Sequence, residues 1–247
     1  MTIDTIYIII FFLIITVQTI VGVGVLVLGT PIMLLFQHTL PGAIEVLLPI
    51  SILTSLINIF YFKIIKKLET FEINKKTTKY FIYLCLPSIF LGTYLLKTLH
   101  DFINFKILVS SIILFTLFVK LFSKNNIIIF SNLKKKIFLV IIGLVHGLTN
   151  SGGTLLSIFI LSLNNNAKKE TRYDITFFYL FLAIFQYLIF IIFFKSNITI
   201  NLLLNYLIIV FFGVLFGNII EKKIKKKTFP VFIDILALLT GIFLLIL

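Results

Sequence analysis

The stretch Val145-His146-Gly147-Leu148-Thr149-Asn150-Ser151-Gly152-Gly153-Thr154-Leu155-Leu156 lies in the middle of an apolar run covering 137–163. On either side the run is Ile, Leu, Val and Phe. Inside it stand two adjacent glycines, an imidazole, an amide and three hydroxyls. A helix facing lipid all round does not place polar groups at its centre, because hydrocarbon offers them no partners. The stretch therefore predicts a break in a membrane helix, aimed at something polar. A weaker copy stands near the start of the chain, Gln18-Thr19-Ile20-Val21-Gly22-Val23-Gly24, followed by Pro31. Two such breaks, one per half, point to a transporter built from repeats.

Composition agrees. The chain has 247 residues, 60% of them hydrophobic, with a mean hydropathy of +1.17. Soluble domains are about 45–50% apolar, so this is an integral membrane protein with no room for a separate soluble domain. The net charge of +13 is no nucleic-acid footprint. The lysines cluster in short loops between apolar spans, as cytoplasmic loops of membrane proteins do, and no recognition fold accompanies them. Cys85 is the single cysteine, sits in an apolar span and reads as a small packed hydrophobe. The N-terminus lacks a positive region and a small-residue cleavage pattern, so the first segment is expected to stay in the mature protein. Richness in Ile, Phe, Lys and Asn, with one arginine, points to an AT-rich genome and hence to a bacterium with a reduced genome.

Eight apolar stretches are legible, at about 7–36, 43–62, 80–96, 105–122, 137–163, 175–194, 200–220 and 229–247. Crossing the ~30 Å hydrocarbon core takes roughly 20 helical residues. Six stretches fit one crossing each; the first and fifth are longer, and they carry the breaks. The halves resemble each other at an offset of about 128 residues: Gln18 falls on His146, Gly22 on Asn150, Gly24 on Gly152 and Asn58 on Gln186. At a slightly smaller offset Gly92 falls on Gly217. The expected fold class is all-α and polytopic, with residues 1–127 as a first repeat and 128–247 as a second, each of four apolar segments. If all eight stretches cross once, the lysines at 63–79 and 222–227 lie on opposite sides, against the positive-inside rule. If the first and fifth are re-entrant, the lysines at 63–79, 120–136, 168–169 and 222–227 share one side. Only Lys97, Lys106 and Lys195 then fall on the other. Three crossings per half also make the repeats inverted.

Each candidate residue has a plainer alternative. Asn150, Ser151, Gly152, Gly153 and Thr154 would sit at a helix N-terminus, whose free N–H groups and partial positive charge suit an anion; the alternative is small-residue helix packing. Gly22 and Gly24 would form the partner break. His146 is either a bonded core residue or a donor and proton carrier, since imidazole titrates near physiological pH. Gln18 is its counterpart in the first half. Asn58 and Gln186 are buried amides that either bind substrate oxygens or tie helices together. Ser51, Thr54 and Ser55 extend the polar face of the second span, more often bonding their own backbone. Arg172 could recognise an oxyanion, or simply pair with Glu170 or Asp174. Asp234 could pair with the lysines at 222–227. Tyr179 and Tyr187 read as packing or interfacial aromatics.

No Walker loop, no Cys/His cluster of metal spacing and no nucleophile–base pair is present in the sequence. ATP drive, a metal and a membrane-embedded enzyme are therefore not expected, and no cofactor is. A glycine-rich tract entering an apolar run and followed by proline, repeated in the second half, resembles the TauE/SafE family of sulfite exporters, the TSUP anion permeases. In that family each half carries a pattern close to Gly-x-Gly-Gly-Gly-x-x-x-x-Pro. Here the first copy keeps Gly22, Gly24 and Pro31, with Val25 and Leu26 in place of further glycines. The second keeps Gly143, Gly147, Gly152 and Gly153, with Asn150, Thr154 and Phe159 at the remaining places. The resemblance implies a transporter of small sulfur-containing or organic anions, such as sulfite or organosulfonates. The expected partners are a small anionic substrate, the lipid bilayer and, as an open possibility, a second copy in a homodimer. A channel-like anion pore and a non-transporting membrane assembly factor are the rival readings.

Overall fold

The computed structural model describes residues 5–64, 75–123, 132–163, 168–195, 200–223 and 229–246. Among them every regular element is helical. In chain order they are α1 (Thr5–Val21), α2 (Val25–Leu35), α3 (Leu40–Ile64), α4 (Lys75–Leu99), α5 (Phe105–Ser123), α6 (Asn132–Thr149), α7 (Gly153–Leu163), α8 (Lys168–Phe194), α9 (Ile200–Lys223) and α10 (Phe229–Ile246). One turn of α4, Phe81–Cys85, is π-helical. The lysine-rich segments at 65–74, 124–131 and 224–228, and the side chains of Lys120, Lys168, Lys169, Glu170 and Asp234, lie outside the described residues. Three helices among the described residues are long and apolar enough to cross a membrane: Leu40–Ile64, Lys75–Leu99 and Thr171–Phe194. Large apolar side chains such as Phe60, Phe115, Ile192 and Phe212 stand exposed on the outside, as on a polytopic membrane protein facing hydrocarbon.

The two long apolar stretches are each split, as the sequence predicts. The first breaks between Val21 and Val25, where Gly22 takes φ +96°. The second breaks between Thr149 and Gly153, where Asn150 takes φ +62°. Glycine and asparagine are the residues that reach this left-handed region most cheaply. After each break the chain turns back on itself. Gln18 bonds Val25, the Ile14 side chain lies against Gly29, and Tyr7 meets Phe36 and His38, its hydroxyl 2.7 Å from the His38 ring nitrogen. Contacts at successive distances from the turn make α1 and α2 antiparallel arms of one hairpin. In the second, His146 packs on Gly152, and the Phe138 and Phe159 rings stack at 6.1 Å.

The hairpins come in from opposite ends of the molecule. At one end the close of α3 meets the start of α8 through Phe62 and Tyr173. The start of α8 also meets the close of α9 through Arg172 and Glu221, and Lys136 of α6 lies over Tyr80 of α4. At the other end the base of the first hairpin meets α9 through Phe11 and Tyr206, while Lys97 of α4 lies over Phe193 of α8. The second hairpin therefore opens at the end carrying Lys63, Lys79, Lys136 and Lys222, and the first at the opposite end.

Glycine seams hold the outer helices close. A methyl on Gly92 of α4 would strike the Leu144 carbonyl of α6, and one on Gly147 would strike the Ile89 carbonyl of α4. Gly143 faces the Cys85 carbonyl in the same seam. On the other side Gly217 of α9 faces Thr19 of α1, where an added methyl would sit 2.7 Å from the Thr19 Cβ. Each first hairpin arm thus packs on a helix of the opposite half of the chain. Gly147→Ala should destabilise the protein by about 1–3 kcal/mol through overpacking against backbone. Gly42→Ala, whose methyl meets only the Thr39 hydroxyl at 3.2 Å, should stay within about 0.5 kcal/mol; thermal unfolding of the two purified variants separates them.

Candidate functional site

A helix that ends at bilayer depth leaves carbonyls on one arm and N–H groups on the next without intrahelical partners, and no water replaces them. The first break meets this need with side chains. Gln18 Oε1 accepts from the Val25 N–H at 3.0 Å, while its Nε2 donates to Ser55 Oγ at 3.0 Å and to the Ser51 carbonyl at 3.3 Å. The next N–H of α2, at Leu26, donates to the Tyr179 hydroxyl at 3.1 Å. The Thr19 carbonyl, in the last turn of α1, accepts from Arg172 Nη2. Gly24 is held against the Gln18 backbone, where a Cβ would lie 2.9 Å from its nitrogen.

The second break is tied differently. The Asn150 N–H donates to the His146 carbonyl at 2.8 Å, and its Nδ2 donates to Thr30 Oγ1 of α2 at 3.0 Å, joining the two hairpins. Ser151 Oγ donates to the Thr149 carbonyl at 3.1 Å, and Thr154 Oγ1 to the Ser151 carbonyl at 3.3 Å. The α7 ladder begins with the Leu156 N–H on the Gly152 carbonyl at 3.0 Å. The N–H groups of Gly153, Thr154 and Leu155 therefore stand ahead of it. Gly153 has the Tyr179 ring on one side and Val27 on the other. Tyr179 thus lies between the tips, its hydroxyl on the start of α2 and its ring on the start of α7.

The amides of the second and sixth spans act as tethers with one half of each group. Asn58 Nδ2 donates to Thr19 Oγ1 at 3.1 Å; Gln186 Nε2 donates to the His146 and Gly147 carbonyls at 3.1 and 3.4 Å. The other half is unmatched. Asn58 Oδ1, Gln186 Oε1, Asn150 Oδ1 and both ring nitrogens of His146 are buried with no hydrogen-bond partner among the described residues. Each orphaned buried polar atom costs about 1–3 kcal/mol, and native proteins hold few of them. Their gathering on the hairpins and the two spans behind them gives the region a reason to take a polar guest. The N–H groups at the start of α7 can donate to oxygens of an anion, and the amide oxygens can accept from a protonated one; the hydroxyls of Ser151 and Thr154 already donate to backbone carbonyls.

Gln18, Gly22, Gly24, His146 and the residues Asn150 to Thr154 lie on the two breaks, and Asn58 and Gln186 stand directly behind them. Ser55 completes the Gln18 bridge, whereas Thr54 returns its hydroxyl to the Ile50 carbonyl. Three readings change. Arg172 pairs with Glu221 of α9, at 3.3 Å, a partner from a different helix; the Glu170 side chain lies outside the described residues. Gly143 and Gly147 serve the α4–α6 seam. Tyr179, expected to be packing, supplies a hydroxyl to the first break. The signal for it was present: Arg172, Tyr179 and Gln186 recur every seven residues, so α8 shows all three on one face. Tyr179→Phe keeps the ring on Gly153 but strands the Leu26 N–H. Denaturant unfolding in detergent should show a loss of about 1–3 kcal/mol.

A family model described as Sulfite exporter TauE/SafE matches residues 7–244. No curated protein and no solved structure matches the chain.

Proposed function

Because the chain belongs to the TauE/SafE sulfite exporter family, we propose that it is a secondary transporter of small sulfur-containing or organic anions, sulfite or organosulfonates among them. The substrate binds between the break at Gly22–Gly24 and the break at Asn150–Thr154, with Gln18, Asn58, His146 and Gln186 around it. The observation that carries this reading is the set of buried, unpartnered polar atoms on His146, Asn150, Asn58 and Gln186 beside two hairpin tips that meet at Thr30 and Asn150.

The chain acts as two inverted repeats, residues 1–127 and 128–247, that rock about this region to expose it to either face. What supports the repeat is its contacts. At an offset of about 128 residues, the tether of Asn58 to Thr19 has its counterpart in the tether of Gln186 to Gly147, and the left-handed Gly22 has its counterpart in Asn150. The end bearing Lys63, Lys79, Lys136 and Lys222 faces the cytoplasm by the positive-inside rule, and the membrane is the cytoplasmic membrane of a bacterium.

Uptake of labelled sulfite or ethanesulfonate into proteoliposomes tests the reading. A carrier gives saturating uptake. Asn150→Ala, which removes the amide beside the start of α7, should raise the half-saturating concentration about tenfold or more, the worth of one hydrogen bond to a charged group. Large unitary currents in a planar bilayer would make the protein a pore instead, and the absence of binding and uptake for every such anion would overturn the reading. His146 is the residue assigned to proton coupling. If His146→Gln leaves both uptake and its pH dependence intact, that role is lost while the anion site stands.

A further inference from the structure

Arg172 is the only arginine of the chain, and the proposed site at the tips makes no direct use of it. It lies one α8 repeat from Tyr179, about 10 Å along the helix, toward the lysine-bearing end. Its guanidinium is almost fully buried. One face covers the Phe62 ring, 4.8 Å from its centroid, which closes that side to any ligand. Nη2 donates to the Thr19 carbonyl at the end of α1, and Nη1 faces Glu221 Oε1 at 3.3 Å. Nε has no hydrogen-bond partner among the described residues. The open approach is therefore in the guanidinium plane, where a two-oxygen anion fits the fork and where a carboxylate now stands.

Glu221 is poorly placed to be a permanent partner. It lies in the last turn of α9, where the carbonyl end of the helix disfavours negative charge and where Lys222 and Lys223 follow. Its side chain is 23% exposed, against 9% for the arginine side chain, so it reaches inward from the rim. A carboxylate and a small oxyanion present the same chemistry to a guanidinium, and exchanging one for the other leaves the buried cation paired throughout. In the first half, the position equivalent to Arg172 is Ile44, which is apolar and buried. The device exists at one end only.

We propose that Arg172 is a second oxyanion-binding site, at the lysine-bearing end of the path to the hairpin tips, and that Glu221 is the side chain that fills it when no substrate does. This rests on the anion-transport reading above. An incoming sulfonate or sulfite takes two N–H groups of Arg172 as Glu221 swings to the surface. Because Arg172 also holds the Thr19 carbonyl, the exchange is felt at the first break.

A single arginine allows a test on the unaltered protein. Phenylglyoxal condenses with guanidinium groups, and the mass of the Arg172 peptide reports the reaction. Ethanesulfonate is the probe anion, since sulfite adds to the glyoxal aldehyde. At a concentration ten times that giving half its maximal thermal shift, ethanesulfonate should slow modification of Arg172 about tenfold, as expected for simple occupancy. Glu221→Gln should speed modification in the absence of anion and lower the half-saturating concentration of ethanesulfonate. Modification that proceeds at the same rate with and without an anion that does raise the melting temperature overturns the second site and leaves the transport reading intact. So does an arginine that stays unmodified in both the native chain and Glu221→Gln. A protein whose melting temperature and uptake respond to no anion brings down the transport reading, and this inference with it.

Discussion

The structure depends on how peptide groups are satisfied where helices stop inside the apolar part of the molecule. In water a helix can end anywhere, because solvent takes over the bonds. Here Val21 and Thr149 each end a helix in buried surroundings, and every freed carbonyl or N–H must find a side chain. That need fixes what stands nearby. Gln18 bridges the first gap and is itself braced by Ser51 and Ser55 of α3. Tyr179, Gln186 and Arg172 of α8 reach the remaining groups. The two hairpins fix the placement of α3 and α8, since neither hairpin is bonded without them.

The halves solve the problem with matching backbones and different side chains. Thr19 and Gly147 occupy equivalent places, and each is bonded by an amide from its own half. Asn58 takes the Thr19 hydroxyl, and the Thr19 carbonyl goes to a charged partner from the opposite half, Arg172; the Gly147 carbonyl accepts from Gln186. Glutamine spans the first break, but the ring of the histidine at the same place has no hydrogen-bond partner among the described residues. The first break is thereby bonded by Gln18 together with Tyr179 and Arg172 of α8, whereas at the second the N–H groups of Gly153, Thr154 and Leu155 stand ahead of the α7 ladder beside the imidazole.

Much of the frame was legible because it follows from local rules. Two glycine-bearing gaps in over-long apolar runs gave the helix breaks, and the lysine pattern anticipated the end at which each hairpin opens. Asn58 and Gln186 stood out because an amide in a span must bond something. What escaped notice needed the third dimension. The pairing of Arg172 with Glu221 joins residues far apart in the chain, and nearer acids offered themselves first. Gly143 and Gly147 matched the motif of the breaks, yet their neighbours on α4 make them seam residues. Tyr179 carries a ring suited to any apolar face. Only its register with Arg172 and Gln186 marks it as part of the polar line, and a seven-residue spacing is easily read as ordinary amphipathicity.

The contacts also show where the molecule can give. Asn150 and Ser151 are 0% and 1% exposed, so a solute reaches the second break only after something parts. Within the first hairpin Gln18 of α1 bonds the Val25 N–H of α2 and Ile14 packs on Gly29; within the second His146 packs on Gly152 and Phe138 on Phe159. Between the hairpins stand the Asn150–Thr30 bond and the packing of Gly153 on Val27, with Tyr179 of α8 bonded to Leu26 of one and packed on Gly153 of the other. Two neutral hydrogen bonds are worth about 1 kcal/mol each, and breaking them exposes groups that an anion can bond in their place. Separating the tips therefore costs less than unfolding either hairpin. A polar guest between them would recover most of that cost.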